Sequence, residues 1–359
     1  ANLFCNHLLM IVSSNGAARH SSNLLIYSVF DKLRCDFSDT LLLDGGTGEE
    51  LFRRGVPDDR SIWSAKAVVD NQYHGVLQQV HQDYIIAGSR IITTNSYGIV
   101  PGVGFSDADI LKHVDTAGRL AREAVDSIQK ESTTDADYSQ VLVMGSLGPL
   151  LESYRPDKLL PHERGLSTYQ MIAQTLSPYV DCFLAETMSC FEEVSQAVEG
   201  VSKLDDDRKR PMLASYTLRR DGRLRSGEPV SSGISRLIPF AKDHNVELLG
   251  ILLNCCEPES ITAALKEMQT DTDTHDLLHR EGIVLGAYAN RLTEVASDWS
   301  MEASSDPQPF RHDLPTNIYF DKFVHVWVKD YGLKMIGGCC GISPEYISYI
   351  ASHIQRYQE

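Results

Sequence analysis

Past residue 40 the chain alternates between short apolar runs and longer stretches whose apolar residues recur every three or four positions. The apolar runs are Leu41–Gly46, Arg90–Tyr97, Val141–Gly148, Asp181–Met188, Met212–Leu218, Val246–Cys255, Ile283–Asn290 and Lys334–Gly341. Each is mostly apolar on both faces, which predicts strands buried between a core and an outer layer of helices. The stretches Gly75–Ala87, Asp107–Lys130, Thr168–Tyr179, Phe191–Lys203, Ser232–Asp243, Glu259–Met268 and Phe320–Tyr331 predict amphipathic helices between them. Ser343–Gln355 follows the last strand, with Ser343 as N-cap and Pro344 at the first helical position. Eight strand–helix units predict an α/β protein, a (β/α)8 TIM barrel forming a single domain over 40–359. Alternation alone does not reveal closure, so a doubly wound open sheet is the rival. Glu131–Ser139, Gln269–Glu281 and Glu294–Asn317 are polar and predict loop insertions, the last as solvated decoration or as a lid.

Residues 1–39 read as a flexible N-terminal extension. The first thirty carry no Asp or Glu, and Arg19 is the only Arg before Arg34, which is thin for a transit peptide. Leu8–Val12 is short for a secretory signal. The rest of the composition is ordinary for a globular protein, with 42% hydrophobic and 23% charged residues. Forty-nine acidic against 33 basic residues give a formal charge of -16. That excludes nucleic acid and anionic membranes as partners, because both require concentrated Lys and Arg. No apolar run approaches the roughly 20 residues of a membrane-spanning helix. Eight cysteines, with two adjacent pairs far apart, suit metal chemistry in a reducing compartment, the cytoplasm, better than a disulfide scaffold.

Polar, glycine and cysteine residues gather at the C-terminal ends of the predicted strands: Asp44-Gly45-Gly46, Thr94-Asn95-Ser96, Ser146, Glu186, Asn254-Cys255-Cys256, Asn290 and Gly337-Gly338-Cys339-Cys340-Gly341. In a closed barrel those ends form one rim, where such enzymes place catalytic groups. Cys339 and Cys340 would face opposite ways in a regular strand. The flanking glycines let the backbone leave that geometry, so both sulfurs can converge on one ion, with Cys255 as a third ligand. Three thiolates suit Zn2+ and leave one coordination position open. Adding Cys256 would instead close a structural site of four cysteines, although strand alternation turns Cys256 away from Cys255. His275 and His279, four apart in an acidic insert, read as a solvated face. Gly46-Thr47-Gly48 opens no dinucleotide fingerprint, because Leu51 stands where the third glycine belongs. Asp44 and Glu186 can grip an ammonium group, while Thr94, Ser146 and the glycine amides can hold a carboxylate. Together with a thiophilic metal, these describe a thiol amino acid as ligand.

These residues carry a family resemblance. The pieces Asp44-Gly45-Gly46-Thr47-Gly48, Ile62-Trp63-Ser64-Ala65, Thr93-Thr94-Asn95-Ser96-Tyr97, Gly145-Ser146-Leu147-Gly148-Pro149, Glu186-Thr187, Asn254-Cys255 and Gly337-Gly338-Cys339-Cys340-Gly341 stand in order over 41–355. In them the chain resembles the zinc-dependent homocysteine S-methyltransferases, whose members use S-methylmethionine, betaine or, in methionine synthase, a cobalamin-borne methyl. The resemblance implies Zn2+ on Cys255, Cys339 and Cys340. It also implies homocysteine among Asp44, Gly45, Thr94, Asn95, Ser146, Glu186, Asn254 and Asn290, with Asp44 and Glu186 facing its amino group. Two positions depart from the family pattern: Arg291-Leu292 follows Asn290 where a small residue and Gly are usual, and Gly98 follows Tyr97 where sulfonium-using members resemble one another in having Gln. Both bear on the methyl donor.

The chemistry expected is activation of the homocysteine thiol by zinc and attack of the sulfur on a donor methyl, giving methionine. The chain is consumed by one barrel and its loops, which predicts a donor that needs no folate or corrinoid domain. A sulfonium, S-methylmethionine or S-adenosylmethionine, carries its own leaving group; betaine is the rival. A hydrolase using metal-bound water and a non-catalytic barrel with a closed, four-cysteine structural zinc are the other readings.

Overall fold

The computed structural model describes residues 24–35, 40–59, 61–131, 138, 140–293 and 310–354. Residues 1–23 and most of the predicted insertions Glu131–Ser139 and Glu294–Asn317 lie outside the described residues. Eight parallel strands form one sheet: β1 (Leu41–Leu42), β2 (Ile91–Thr93), β3 (Leu142–Leu147), β4 (Cys182–Met188), β5 (Met212–Tyr216), β6 (Leu248–Asn254), β7 (Val284–Tyr288) and β8 (Met335–Ile336). Each of β2 to β7 pairs with the next in sequence, and β1 pairs with β8. The two ends of the sheet meet where the Arg90 amide, just before β2, donates to the Leu42 carbonyl at 2.8 Å. Ser89 Oγ donates to the Leu43 carbonyl beside it at 3.0 Å. The open-sheet rival is thereby excluded, and the fold is a barrel of the TIM type.

Strand periodicity sorts the core into two shells. Leu142, Met144, Leu184 and Leu213 point into the barrel and pack with Leu43, Ile91 and Met335. Their neighbours Val143, Phe183, Ala185, Met212 and Ala214 face outward against the helices. Every predicted strand is present, but the last residues of several are not strand. β8 ends at Ile336 and β6 at Asn254, so all three cysteines of the rim sit in turns beyond their strands.

Short helices at Thr47–Arg53 and Lys66–Val69 add to the predicted set, and two further segments depart from expectation. Residues 24–35, inside the segment predicted to be a flexible extension, form a helix, Leu24–Cys35. Ile26, Val29, Phe30 and Leu33 recur with helical spacing and are buried in the inner shell. Arg34 Nε donates to the Gly282 carbonyl at 2.7 Å, and Tyr27 Oη to Glu247 at 2.6 Å. Gly282 and Glu247 precede β7 and β6, so this helix closes the N-terminal mouth of the barrel, opposite the rim. The second is Thr272–Glu281, a helix within the predicted insertion Gln269–Glu281. Asp271 caps it by accepting from the Thr274 amide, and Gly282 ends it in the left-handed conformation. His275 and His279 lie exposed on it.

Candidate metal and thiol site

At the C-terminal rim the ligand atoms of Cys255, Cys339 and Cys340 lie within 4.8 Å of one another. Local backbone explains how residues from two strands converge. Cys255 adopts φ 50°, the left-handed region, directly after β6. Gly341 takes φ 80°, and a Cβ on Gly338 would lie 2.1 Å from Ile342, so the turn after β8 accepts no side chain there. Cys339 Sγ donates to Cys255 Sγ at 3.1 Å and lies 3.9 Å from Cys340 Sγ. Cys256 turns away into the outer shell, so the described residues build a three-sulfur set and not a closed four-cysteine site.

The electrostatics of the cluster suit a cation. Hydrogen bonds from Cys339 and Cys340 hold the Cys255 thiol well below its ordinary range. The same sharing pushes Cys339 and Cys340 well up. One thiolate is thus stable alone, and three become stable together only with a positive charge among them. Three buried sulfurs with that charge deficit fit a thiophilic metal ion.

The sulfurs open onto a cavity of about 410 Å3. Asp44, Gly45, Thr94, Asn95 and Glu186 line it, as do Cys255, Cys339 and Cys340. Asp44 accepts from the Thr93 amide at 2.7 Å and from Thr93 Oγ1 at 3.0 Å. Burial outweighs those bonds and raises its carboxyl to about 7. Glu186 accepts from Ser146 Oγ, and Tyr288 Oη reaches its other oxygen at 3.4 Å. Burial raises Glu186 to about 7 as well. Thr94 Oγ1 is engaged with Ser96 Oγ at 2.8 Å and accepts from the Ser146 amide at 3.0 Å. Asn95 donates to the Ser64 carbonyl at 2.9 Å.

Three predicted site residues sit one layer back. Ser146 is buried behind Glu186 and orients it. Asn254 is a clamp: its Oδ1 accepts from the Thr187 amide at 3.1 Å and Ser215 Oγ at 2.7 Å, while its Nδ2 donates to Thr187 Oγ1 at 2.9 Å. It ties β4, β5 and β6 together under the cavity. Asn290 accepts from the Leu292 amide at 3.2 Å, and its Nδ2 has no partner among the described residues. Arg291 points away from the cavity, with its guanidinium 5.1 Å from the Phe310 ring and 5.3 Å from that of Tyr346. It braces Phe310, which bridges to Leu292 and lines the cavity.

Sequence reasoning missed Glu49 and the aromatic wall. Glu49 lines the cavity, its carboxyl raised to about 7 by burial, and Oε2 is unpartnered among the described residues. Trp63, Tyr97, Tyr154 and Phe310 face the same space. Trp63 and Tyr97 meet edge to face with centroids 6.4 Å apart. Tyr154 Oη reaches Cys255 Sγ at 3.1 Å. Among the described residues the non-glycine positions with left-handed backbone are Trp63, Tyr154, Thr187, Asn245 and Cys255. All but Asn245 line this cavity, which marks it as the place where the fold tolerates strain.

Comparison with known proteins places this geometry. The family model described as Homocysteine S-methyltransferase matches residues 41–354. The homocysteine S-methyltransferase of Escherichia coli K12 is 27% identical over 324 residues, covering 87% of this chain and 94% of that protein. The betaine-homocysteine S-methyltransferase of Drosophila melanogaster is 25% identical over 348 residues, covering 91% of this chain and 97% of that one. The crystal structure of the Escherichia coli homocysteine methyltransferase MmuM in its metallated form shares the fold, with a TM-score of 0.69 at 24% identity over 92% of this chain and 99% of that chain.

Proposed function

This chain belongs to the homocysteine S-methyltransferase family, and on that premise we propose that it transfers a methyl group from a sulfonium donor, S-methylmethionine, to the thiol of homocysteine, making methionine. The observation that carries the reading is a single cavity in which three cysteine sulfurs, two buried carboxylates and an aromatic wall face one another.

Cys255, Cys339 and Cys340 would hold the metal, zinc by the chemistry of an all-sulfur set. When bound, zinc supplies a deprotonated, nucleophilic substrate thiol at neutral pH. Asp44 and Glu186 receive the amino group of homocysteine. Thr93 and Ser146 already occupy part of each carboxylate and fix its direction. Ammonium binding supplies the charge that burial denies these groups, so it draws both into the ionised form. Trp63, Tyr97, Tyr154 and Phe310 offer ring faces to a cationic donor. In the transfer, the homocysteine sulfur forms a bond to the donor methyl while the bond from methyl to sulfonium sulfur breaks, and the donor leaves as a neutral thioether. Opposite charges cancel along this path, so a cavity walled by aromatic rings favours the transition state over the separated ions.

The test is a donor panel with homocysteine as acceptor and methionine as readout. Turnover is expected with S-methylmethionine and, more slowly, with S-adenosylmethionine. Turnover with betaine but with neither sulfonium overturns the donor assignment and leaves the thiol chemistry standing.

A further inference from the structure

A second, much smaller chamber adjoins the main cavity. Ile62, Trp63, Tyr97, Gly98, Glu152 and Ser153 are among the residues that line it. Trp63, Tyr97 and Ser153 line both spaces, so the two adjoin along these side chains. The chamber holds about 20 Å3, room for one group the size of a water molecule, for which roughly 10–15 Å3 suffices. Gly98 is part of its lining. A Cβ there would meet only the Ile62 carbonyl, at 3.8 Å, so the backbone leaves room for a side chain. The rest of the lining is largely apolar, with Val100, Val103, Pro149 and Leu151. Against that background Glu152 stands out: its Oε2 is shut off from solvent and has no hydrogen-bond partner among the described residues. A carboxylate oxygen left so is costly unless a ligand pairs with it.

We propose that Glu152 and the space beside Gly98 form the subsite for the α-ammonium group of an amino-acid methyl donor. An ammonium group is about the size of water, pairs with a carboxylate through charged hydrogen bonds, and is favoured beside aromatic faces. Because Trp63, Tyr97 and Ser153 belong to both linings, a donor whose sulfonium lies against Trp63 and Tyr97 is placed to present its far end to the Glu152 side. The chain itself spans the same interval: Tyr154 touches Cys255 at the metal site, and Glu152 is two residues before it. S-methylmethionine carries a second cation three carbons from its sulfur. Betaine and dimethylsulfonioacetate carry only the cation that bears the methyl groups, so they leave Glu152 unpaired. The inference rests on the sulfonium reading above and assigns the residue that selects among sulfoniums.

The experiment measures methionine formation at saturating homocysteine by the zinc-loaded wild type, Glu152→Gln and Gly98→Val, with S-methylmethionine and with dimethylsulfonioacetate as donor. Glu152→Gln is expected to raise KM for S-methylmethionine at least tenfold with kcat within twofold, and to move KM for dimethylsulfonioacetate by less than twofold. Gly98→Val adds bulk to the chamber's lining with Glu152 intact and is expected to show the same selective loss. Gly98→Ala serves where the valine variant does not fold. Metal content and KM for homocysteine should not move and the melting temperature should not fall, as they would if Glu152 were merely structural. An equal effect on both donors, or none on either, shows that the chamber holds only a water and overturns the inference while the donor reading stands. Wild-type turnover of neither sulfonium overturns both.

Discussion

Asp44 shows what burying a functional carboxyl entails. Its folded-state pKa, raised to about 7 by burial, exceeds the ordinary 3.8. The protein therefore binds a proton there that the unfolded chain has released over that interval. The associated stability is complete below about pH 4 and is lost as pH rises through 7. Asp44→Asn should consequently raise the melting temperature at pH 8 and change it little at pH 4. The same substitution removes a charged hydrogen bond to homocysteine worth roughly 1.5–3 kcal/mol, so KM for homocysteine should rise about 10- to 100-fold with zinc content unchanged. A fall in stability at pH 8 with normal KM would show that Asp44 serves the fold and not the substrate. In the wild type, kcat/KM for homocysteine should fall as pH drops below 7, because protonated Asp44 must lose its proton before it can take the ammonium. Cys255→Ser tests the metal set more directly: metal content by elemental analysis should drop severalfold and methyl transfer nearly vanish, with the far-ultraviolet circular dichroism unchanged. Most of these residues were legible in the sequence because unusual side chains at the ends of apolar runs have few structural reasons to be there. Tyr154 and Glu152 were not, since they lie on a loop with no periodicity, where Tyr154 takes left-handed backbone.

At the scale of elements, the strands announced themselves by being apolar on both faces, and the turns that end them did not. Cys255, Cys339 and Cys340 read as strand termini, whereas left-handed backbone at Cys255 and Gly341 takes them out of the sheet. Two of the missed helices were missed for opposite reasons. Thr272–Glu281 is polar nearly all round, and only Thr274 and Leu278 are buried, so its apolar stripe is too thin to register; its caps, Asp271 and Gly282, were the available signal. Leu24–Cys35 has a clear stripe, Ile26, Val29, Phe30 and Leu33, but it follows a tail of extension-like composition. That helix supplies the floor of the inner shell. Phe30→Ala removes a fully buried ring from it and should cost about 3–5 kcal/mol of unfolding free energy, read as a lower denaturant midpoint. KM for homocysteine should stay at the wild-type value, because the helix closes the mouth opposite the rim. A stability loss below about 1 kcal/mol would mean that the helix rests on the barrel without supporting it.

For the molecule as a whole, the two ends of the barrel divide the work. The N-terminal mouth is plugged by apolar packing, while the C-terminal rim carries buried carboxyls, left-handed residues and clustered thiols, all of which weaken the fold locally. The metal ligands belong to turns on that rim: Cys255 and Cys340 lie in neither shell of the core, and Cys339 only packs against the inner one. This separates the protein from small zinc domains, in which binding the ion is the folding energy. Removing the metal with a chelator should abolish methyl transfer while leaving the circular dichroism spectrum and a cooperative unfolding transition in place. The unfolding free energy should fall by only the linkage contribution of a bound ligand, about 3–4 kcal/mol at a 100- to 1,000-fold excess of metal over its dissociation constant. Restoring zinc should return both activity and the lost increment. A chelated protein that loses its cooperative transition would place the ion in the folding core, as in a closed structural site. Retention of full activity after verified metal removal would refute the three-cysteine assignment.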